Sequence, residues 1–387
     1  MLEPTSLTLS GERILAVYDF FGDVSEAESR ANALRVEQTI EFPIDLVPDD
    51  DIQREIVGRV ESLDAIGEDR ARAVISYAVE TTAFELPQLM NVLWGNSSIL
   101  PGIKLVDFTL PESLLARFPG PSFGVDGLRA LLDAPTRPLL ATALKPMGLS
   151  SERLAADAYA LAIGGMDIIK DDHSLSNQPF APFVERVQRC SEAVAAANAR
   201  TGHTALYMPS VNAPYDQIDA RVEAAVDAGV GGLLILPGIT SFDHMRYCAT
   251  QVGIPIMAHP AFLGSYSASP NAGVAHRKLY GTLARLAGAD LSVFPSYGGR
   301  FSFSHDECRD VAAALLEPLG DLRTGFPTPG GGMTLGRIDE LLEFYGNDVA
   351  LLVGGDLHRG ADLTETAARF REAVEAVTER GPSASEQ

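Results

Sequence analysis

The sequence predicts an α/β protein in which a C-terminal (β/α)8 TIM barrel follows a smaller α+β domain, and three observations predict it. The chain has 387 residues, enough for a barrel of about 250 residues with a second domain. From Leu139 onward, short apolar runs rich in β-branched residues alternate with amphipathic stretches. Before that point, strand-like and helix-like stretches follow each other without strict alternation, as in an α+β domain.

In the first part, ERILAVYDF and ARAVISYAVE read as strands, and SEAESRANALRVEQ and FELPQLMNVLW as helices. The stretch Phe118 to Pro138 is broken by Pro119, Pro121, Pro135 and Pro138 and is expected to hold the junction, so the domains are set at 1–130 and 131–387. The barrel strands are expected at LLATALK, MDIIK, TALYM, GLLIL, PIMAH, DLSVF, LRTGF and VALLV, each followed by a helical stretch. A doubly wound sheet is the competitor, but no Gly-rich dinucleotide turn follows the first of these strands. The small polar tail GPSASEQ is expected to fray.

Composition narrows the function classes. Hydrophobic residues make up 46% and charged residues 21%, a globular balance without an apolar run of the roughly 18 residues that cross a bilayer. Against 52 acidic residues stand 30 Lys and Arg, a net charge of −22, so binding to nucleic acid or to an anionic membrane is not expected. The start, MLEPTSLTLSGERIL, has neither the basic nor the apolar part of a secretion signal, and a cytoplasmic location is the expectation. Cys190, Cys248 and Cys308 are too far apart for a zinc motif and are read as buried thiols.

Barrel enzymes carry their chemistry where the strands end. Strand one ends in Lys145, strand two in Lys170-Asp171-Asp172-His173, strand five in His259, and strands seven and eight in Gly330-Gly331-Gly332 and Gly354-Gly355. Glycines after the last two strands are either ordinary tight turns or bare backbone that cradles a phosphate. Along a strand, alternate residues face the same way, so Lys170 and Asp172 point together and Asp171 points aside. That run admits a structural ion pair. It also admits a site in which Asp172 and His173 ligate a hard divalent ion, with Lys170 as a base or, once carbamylated by carbon dioxide, as a third oxygen ligand. Ser296 and Tyr297 are weaker candidates for substrate contact, and His203, His244, His276, His305 and His358 are assigned to surface or capping roles.

The string GGMDIIKDDHSLSNQPFAPF resembles the metal-site strand of the RuBisCO large-chain superfamily, whose motif carries a carbamylated lysine and two acidic magnesium ligands. TALKPMGLS resembles the segment with the family's strand-one lysine, which falls on Lys145. Gly95-Asn96 resembles the N-domain asparagine site, Glu37 in VEQTIE the N-domain glutamate, His259 the strand-five histidine, and the two glycine clusters the phosphate loops. The resemblance spans nearly the whole chain. It implies a ferredoxin-like N-terminal domain, one Mg2+ per site on Lys170, Asp172 and His173, a carbamate from CO2 on Lys170, and a homodimer in which Glu37 and Asn96 complete the partner's site.

The departures bear on the reaction. His173 replaces a glutamate, Lys145-Pro146-Met147 shortens a Lys-x-Lys pattern, and the loop PSYGGRFSFS has no lysine, so carboxylation is not expected. Arg300 in that loop suits a carboxylate already on the substrate, and AHPAFLG lacks an arginine for a second phosphate. The chain is therefore identified with the RuBisCO-like (form IV) proteins, acting on a small phosphorylated sugar or acid sugar. The first expectation is a Mg-dependent decarboxylase or C–C hydrolase of a 3-oxo acid-sugar phosphate such as 3-oxo-isoapionate 4-phosphate. The alternatives are a methionine-salvage enolase or isomerase acting on a methylthio-sugar phosphate, and a non-catalytic structural or regulatory dimer.

Overall fold

The structure, a computed structural model, describes residues 5–380. The tail Gly381–Gln387 and the first residues of the leader reading lie outside the described residues. In chain order the strands are β1 (Arg13–Phe21), β2 (Arg59–Ala65), β3 (Arg70–Ala78), β4 (Ile103–Thr109), β5 (Leu139–Leu144), β6 (Ile168–Asp171), β7 (Leu206–Met208), β8 (Leu233–Ile235), β9 (Ile256–Ala258), β10 (Gly273–Val274), β11 (Leu291–Pro295), β12 (Phe326–Gly330) and β13 (Ala350–Val353).

Residues up to Phe118, with 263–279 and 319–321, form one compact unit. Its five strands run in the order β10-β4-β1-β3-β2. Ile14, Ala16, Tyr18 and Phe20 alternate on the buried face of β1 and meet Tyr77, Ile75, Ala73 and Ala71 of β3, so large and small side chains interlock across the pair. Helices Ala27–Glu37 and Leu86–Trp94 bury Ala27, Ala31 and Leu34, and Leu86, Leu89, Val92 and Leu93. The Tyr18 hydroxyl donates to the Leu93 carbonyl at 2.7 Å and so ties the sheet to the second helix. Both strands and both helices expected here are present. Three strands were not foreseen, the two-residue β10 (Gly273–Val274) and the longer β2 and β4. β2 is an exposed edge strand with four charged or polar residues in RVESLDA, and in β4 a bulge opposite Val17/Tyr18 breaks the alternation.

The remainder, from Pro119 to Phe262, 280–318 and 322 onward, forms the second unit. Its eight parallel strands are ordered β7-β6-β5-β13-β12-β11-β9-β8. The ring closes between β7 and β8 through the Ser210–Leu234 bridge and the bond from Gly231 N to the Tyr207 carbonyl. Gly231 has to be glycine there, because a Cβ would stand 2.7 Å from that of Leu206. Leu139, Ala141, Ile168, Leu206, Met208, Leu234, Met257, Leu291, Val293, Phe326 and Ala350 fill the interior.

Two expectations shift. The helix Gly124–Leu131 belongs to the barrel unit, since its Val125 and Leu128 join the barrel core; the unit begins at Pro119, not at 131. The seventh barrel strand is Phe326–Gly330 rather than LRTGF. Proline normally argues against a strand. Here Phe326 N donates to the Asp290 carbonyl and the Gly330 carbonyl accepts from Ser296 N, both on the β11 side. Pro327 and Pro329 alternate with those residues and so face β13, where pairing shrinks to Gly330 with Leu352.

Candidate active site

β6 carries the centre of the site. Ile168 belongs to the barrel core, so Lys170 and Asp172, two and four residues on, share the inward side, while Asp171 faces the surrounding helices. Asp171 accepts from Arg186 Nε at 3.2 Å, from the Tyr207 hydroxyl at 2.8 Å and from Ser210 N at 3.1 Å. Arg186 also donates to the carbonyls of Ala181 and Ser176. The Phe183 ring lies 5.6 Å from the Arg186 guanidinium and 5.4 Å from that of Arg221. Arg186 and Asp171 are both 0% exposed, so removing one partner strands a buried charge. Arg186→Met is expected to lower stability by roughly 3–5 kcal/mol, which chemical denaturation measures; a change below about 1 kcal/mol would contradict this anchoring role.

On the inward side, Lys145 Nζ stands 2.7 Å from Asp172 Oδ2. The other oxygen, Oδ1, accepts from Ser174 N at 3.0 Å and from Ser174 Oγ at 2.6 Å, with His173 Nδ1 at 3.3 Å. Burial pushes the Asp172 carboxyl up, but the bonds from Lys145 and Ser174 prevail and hold it well below the usual carboxylate range. Lys170 is 2% exposed and donates to the Asp171 carbonyl at 2.9 Å. Burial, reinforced by Lys145 and opposed by Asp172 and Asp171, pushes its ammonium down to about 8.

His173 and His259 stack with ring centroids 4.5 Å apart and planes 11° from parallel. Burial first, then neighbouring lysines, pushes both imidazoles below the ordinary histidine value, His259 well below it. Both are therefore neutral at pH 7. Ala261 N donates to His259 Nδ1 at 3.2 Å, which assigns the ring proton to Nε2. Arg300 is exposed, with its guanidinium 5.0 Å from the centre of the Phe301 ring, and its charge is among those that depress His173.

The glycine clusters follow β12 and β13. Gly331 and Gly332 take φ of +95° and +71°, a turn open to glycine. Over Gly354 and Gly355 a Cβ would meet nothing within 4 Å. Among the described residues, the N–H groups of Gly331, Gly332, Gly354 and Gly355 make no hydrogen bond to the backbone. Asp356 Oδ2 accepts from Leu335 N at 3.3 Å and so joins the two loops.

Glu37 and Asn96 lie in the first unit and are brought together, Asn96 Nδ2 donating to Glu37 Oε1 at 2.9 Å. The buried Gln38 holds them. Its amide donates to the carbonyls of Asn91 and Val92 and accepts from Ser97 N. Sequence reading missed Gln38, Ser174 and Arg186, which mark themselves only by what they bond. Ser296 and Tyr297 are 0% and 4% exposed; Ser296 Oγ lies 3.0 Å from the Tyr345 hydroxyl, and Tyr297 packs against His305 and Phe344. They are packing residues rather than surfaces for a ligand.

Lysines, a carboxylate, a stacked histidine pair and bare glycine loops thus stand at the ends of the barrel strands, the position where barrel enzymes carry their chemistry. Residues 124–297 match the family of the ribulose bisphosphate carboxylase large chain, catalytic domain. The chain is 42% identical to ribulose bisphosphate carboxylase-like protein 1 of Rhodopseudomonas palustris, over 93% of this chain and 96% of that one. It is 39% identical to 5-methylthioribulose-1-phosphate isomerase of Rhodospirillum rubrum, over 96% and 98%. It is 32% identical to 2,3-diketo-5-methylthiopentyl-1-phosphate enolase of Bacillus cereus, over 80% and 75%. The crystal structure of a Rubisco-like protein from Rhodopseudomonas palustris superposes with a TM-score of 0.85 at 41% identity, covering 95% of this chain and 98% of that one. The chain therefore belongs to the RuBisCO large-chain family, among its RuBisCO-like (form IV) members.

Proposed function

We propose that this chain catalyses Mg2+-dependent proton transfer beside the carbonyl of a phosphorylated sugar, as an isomerase or enolase of a methylthio-sugar phosphate. The observation that carries the reading is the inward cluster of Lys145, Asp172 and buried Lys170 at adjoining strand ends. The names of the relatives from Rhodospirillum rubrum and Bacillus cereus favour that reaction class over the decarboxylation expected from the sequence.

The residues fit a divalent ion on one condition. Among the described residues no group of three or more His, Cys, Asp and Glu could hold a metal. Asp172, ionised, and His173, neutral, supply two donors, and the third is Lys170 once carbon dioxide has made it a carbamate. That reaction needs the neutral amine, which burial favours, and it replaces a cation by an anion. When bound, the ion supplies Lewis-acid stabilisation of the negative charge that develops on the substrate's carbonyl oxygen.

The chain's own groups do the rest. Lys145 removes the proton next to the carbonyl and returns it at the adjacent carbon. His259, neutral with its proton on Nε2, donates to a substrate oxygen. The amides of Gly330 to Gly332 and of Gly354-Gly355 bind the phosphate. Glu37 and Asn96, paired in the first unit, serve the barrel of a second copy in a homodimer.

Decarboxylation of a 3-oxo acid-sugar phosphate is the second reading, favoured by the exposed Arg300 whose charge reaches His173. The test is turnover of 5-methylthioribulose 1-phosphate and of 3-oxo-isoapionate 4-phosphate by wild type and Arg300→Met. The leading reading expects turnover of the first substrate, with kcat/KM changed less than about three-fold by the substitution. Turnover of the carboxylated substrate alone, lost in Arg300→Met, would replace it by the second.

A further inference from the structure

We propose that Arg337 is a positioning residue that sets the phosphate cradle by tying the loop after β12 to the loop after β11; this rests on the phosphate reading of the glycine clusters. Arg337 Nη1 donates to the Gly332 carbonyl at 3.0 Å. Its Nε and Nη2 donate to the two oxygens of Glu340 at 3.0 and 2.8 Å, and its Cζ lies 5.2 Å from the centre of the Tyr297 ring. Three of its faces are thus engaged at once.

The glycines around it show how close the fit is. A Cβ on Gly298 would stand 3.1 Å from Nη1 and 3.2 Å from Nη2, and one on Gly332 would stand 3.0 Å from both Nη1 and the Gly298 carbonyl. A Cβ on Gly299 would stand 3.1 Å from the Gly331 carbonyl carbon. The guanidinium therefore lies against two glycine turns, one from each loop, and the loops touch beside it. A surface arginine that had merely met a nearby acid would not need bare backbone on both sides.

Glu340 orients the arginine from behind, and the hydrogen bonds from Arg337 hold the Glu340 carboxyl down at about 2, so the pair is ionised at working pH. Tyr297 is clasped between Arg337 and His305, whose ring centroid is 3.9 Å away, which fixes the root of the loop that carries Arg300. The chemical consequence runs through peptide geometry. In a planar trans peptide the N–H points opposite to the preceding carbonyl, so a Gly332 carbonyl held by Arg337 turns the Met333 N–H to the opposite side. Arg337 in this way sets the Met333 amide, which follows the last glycine of the cradle, and anchors that end of the turn without touching the ligand itself.

The experiment uses the full chain, with inorganic phosphate as the calorimetric probe and steady-state kinetics on the phosphorylated substrate. Arg337→Met is expected to weaken phosphate binding and raise KM by roughly 10-fold, with kcat within about two-fold. Arg337→Lys, which keeps a donor to Gly332 but not the fork to Glu340, is expected to recover part of the loss. Glu340→Gln is expected to shift both quantities in the same direction by less, and it decides the matter if Arg337→Met does not fold. Unchanged phosphate affinity in a folded Arg337→Met, or in Glu340→Gln where only that variant folds, overturns the positioning role. Gly354→Val separates the two ideas: if it weakens phosphate binding while the Arg337 and Glu340 variants do not, the cradle stands and the positioning role fails. If wild type binds no phosphate and Gly354→Val leaves KM unchanged, the cradle fails and the positioning role with it.

Discussion

Lys170→Ala is expected to lower turnover on the order of 10³-fold or more and to abolish Mg2+ binding measured by calorimetry in the presence of bicarbonate. The size follows from charge. With Lys170 as an amine, the inward end of β6 offers a metal one ionised carboxylate, already bonded to Lys145, and one neutral imidazole. With a carbamate the same position becomes a second anion, and alanine supplies neither form. The pH dependence has a definite sign. Only the neutral amine reacts with carbon dioxide, and with Lys170 pushed down to about 8, about half is neutral at pH 8, against roughly one in 250 for an ordinary lysine. At fixed free carbon dioxide, the rate of activation should rise as pH rises through about 8 and level off above it, where the amine is already neutral, while each carbamate formed releases one proton. Full activity in chelated protein, or activation insensitive to carbon dioxide, would remove the metal from the reaction.

Lys145→Ala is the second large effect and should separate from the first in kind. Loss of a positioned proton carrier costs on the order of 10²–10⁴ in kcat, but Lys145 is not among the proposed ligands. Removing it frees Asp172 Oδ2 from its 2.7 Å contact. Metal affinity should therefore persist or rise while turnover collapses, and exchange of the substrate's α-proton with deuterated solvent should stop. Continued solvent exchange at the wild-type rate in this variant would assign the proton transfer to another group.

The barrel was legible because its strands announce themselves as apolar runs separated by amphipathic helices, and because a strand places every second residue on one face. That period alone divides Lys170 and Asp172 from Asp171, and the structure shows the division, with Asp171 held by Arg186 and Tyr207. What was hidden lies in long-range partners. Gln38 splints Asn91, Val92 and Ser97 across more than fifty residues of sequence, and no local pattern encodes that. The seventh barrel strand was misplaced because prolines at 327 and 329 violate a rule that holds for strands paired on both sides. Ser296 and Tyr297 read as weak candidates for substrate contact because sequence does not reveal that Tyr345 and Phe344 pack against them.

Those same prolines shape the barrel wall between the two glycine loops. With donors missing along one edge of β12, the wall between β12 and β13 is stitched by a single residue pair, and the two glycine loops hang from either side of that weak suture. An anion gripped by both loops would lace the gap with bonds the prolines are unable to make, so the barrel would be least rigid when empty and would tighten there first as its cargo arrives.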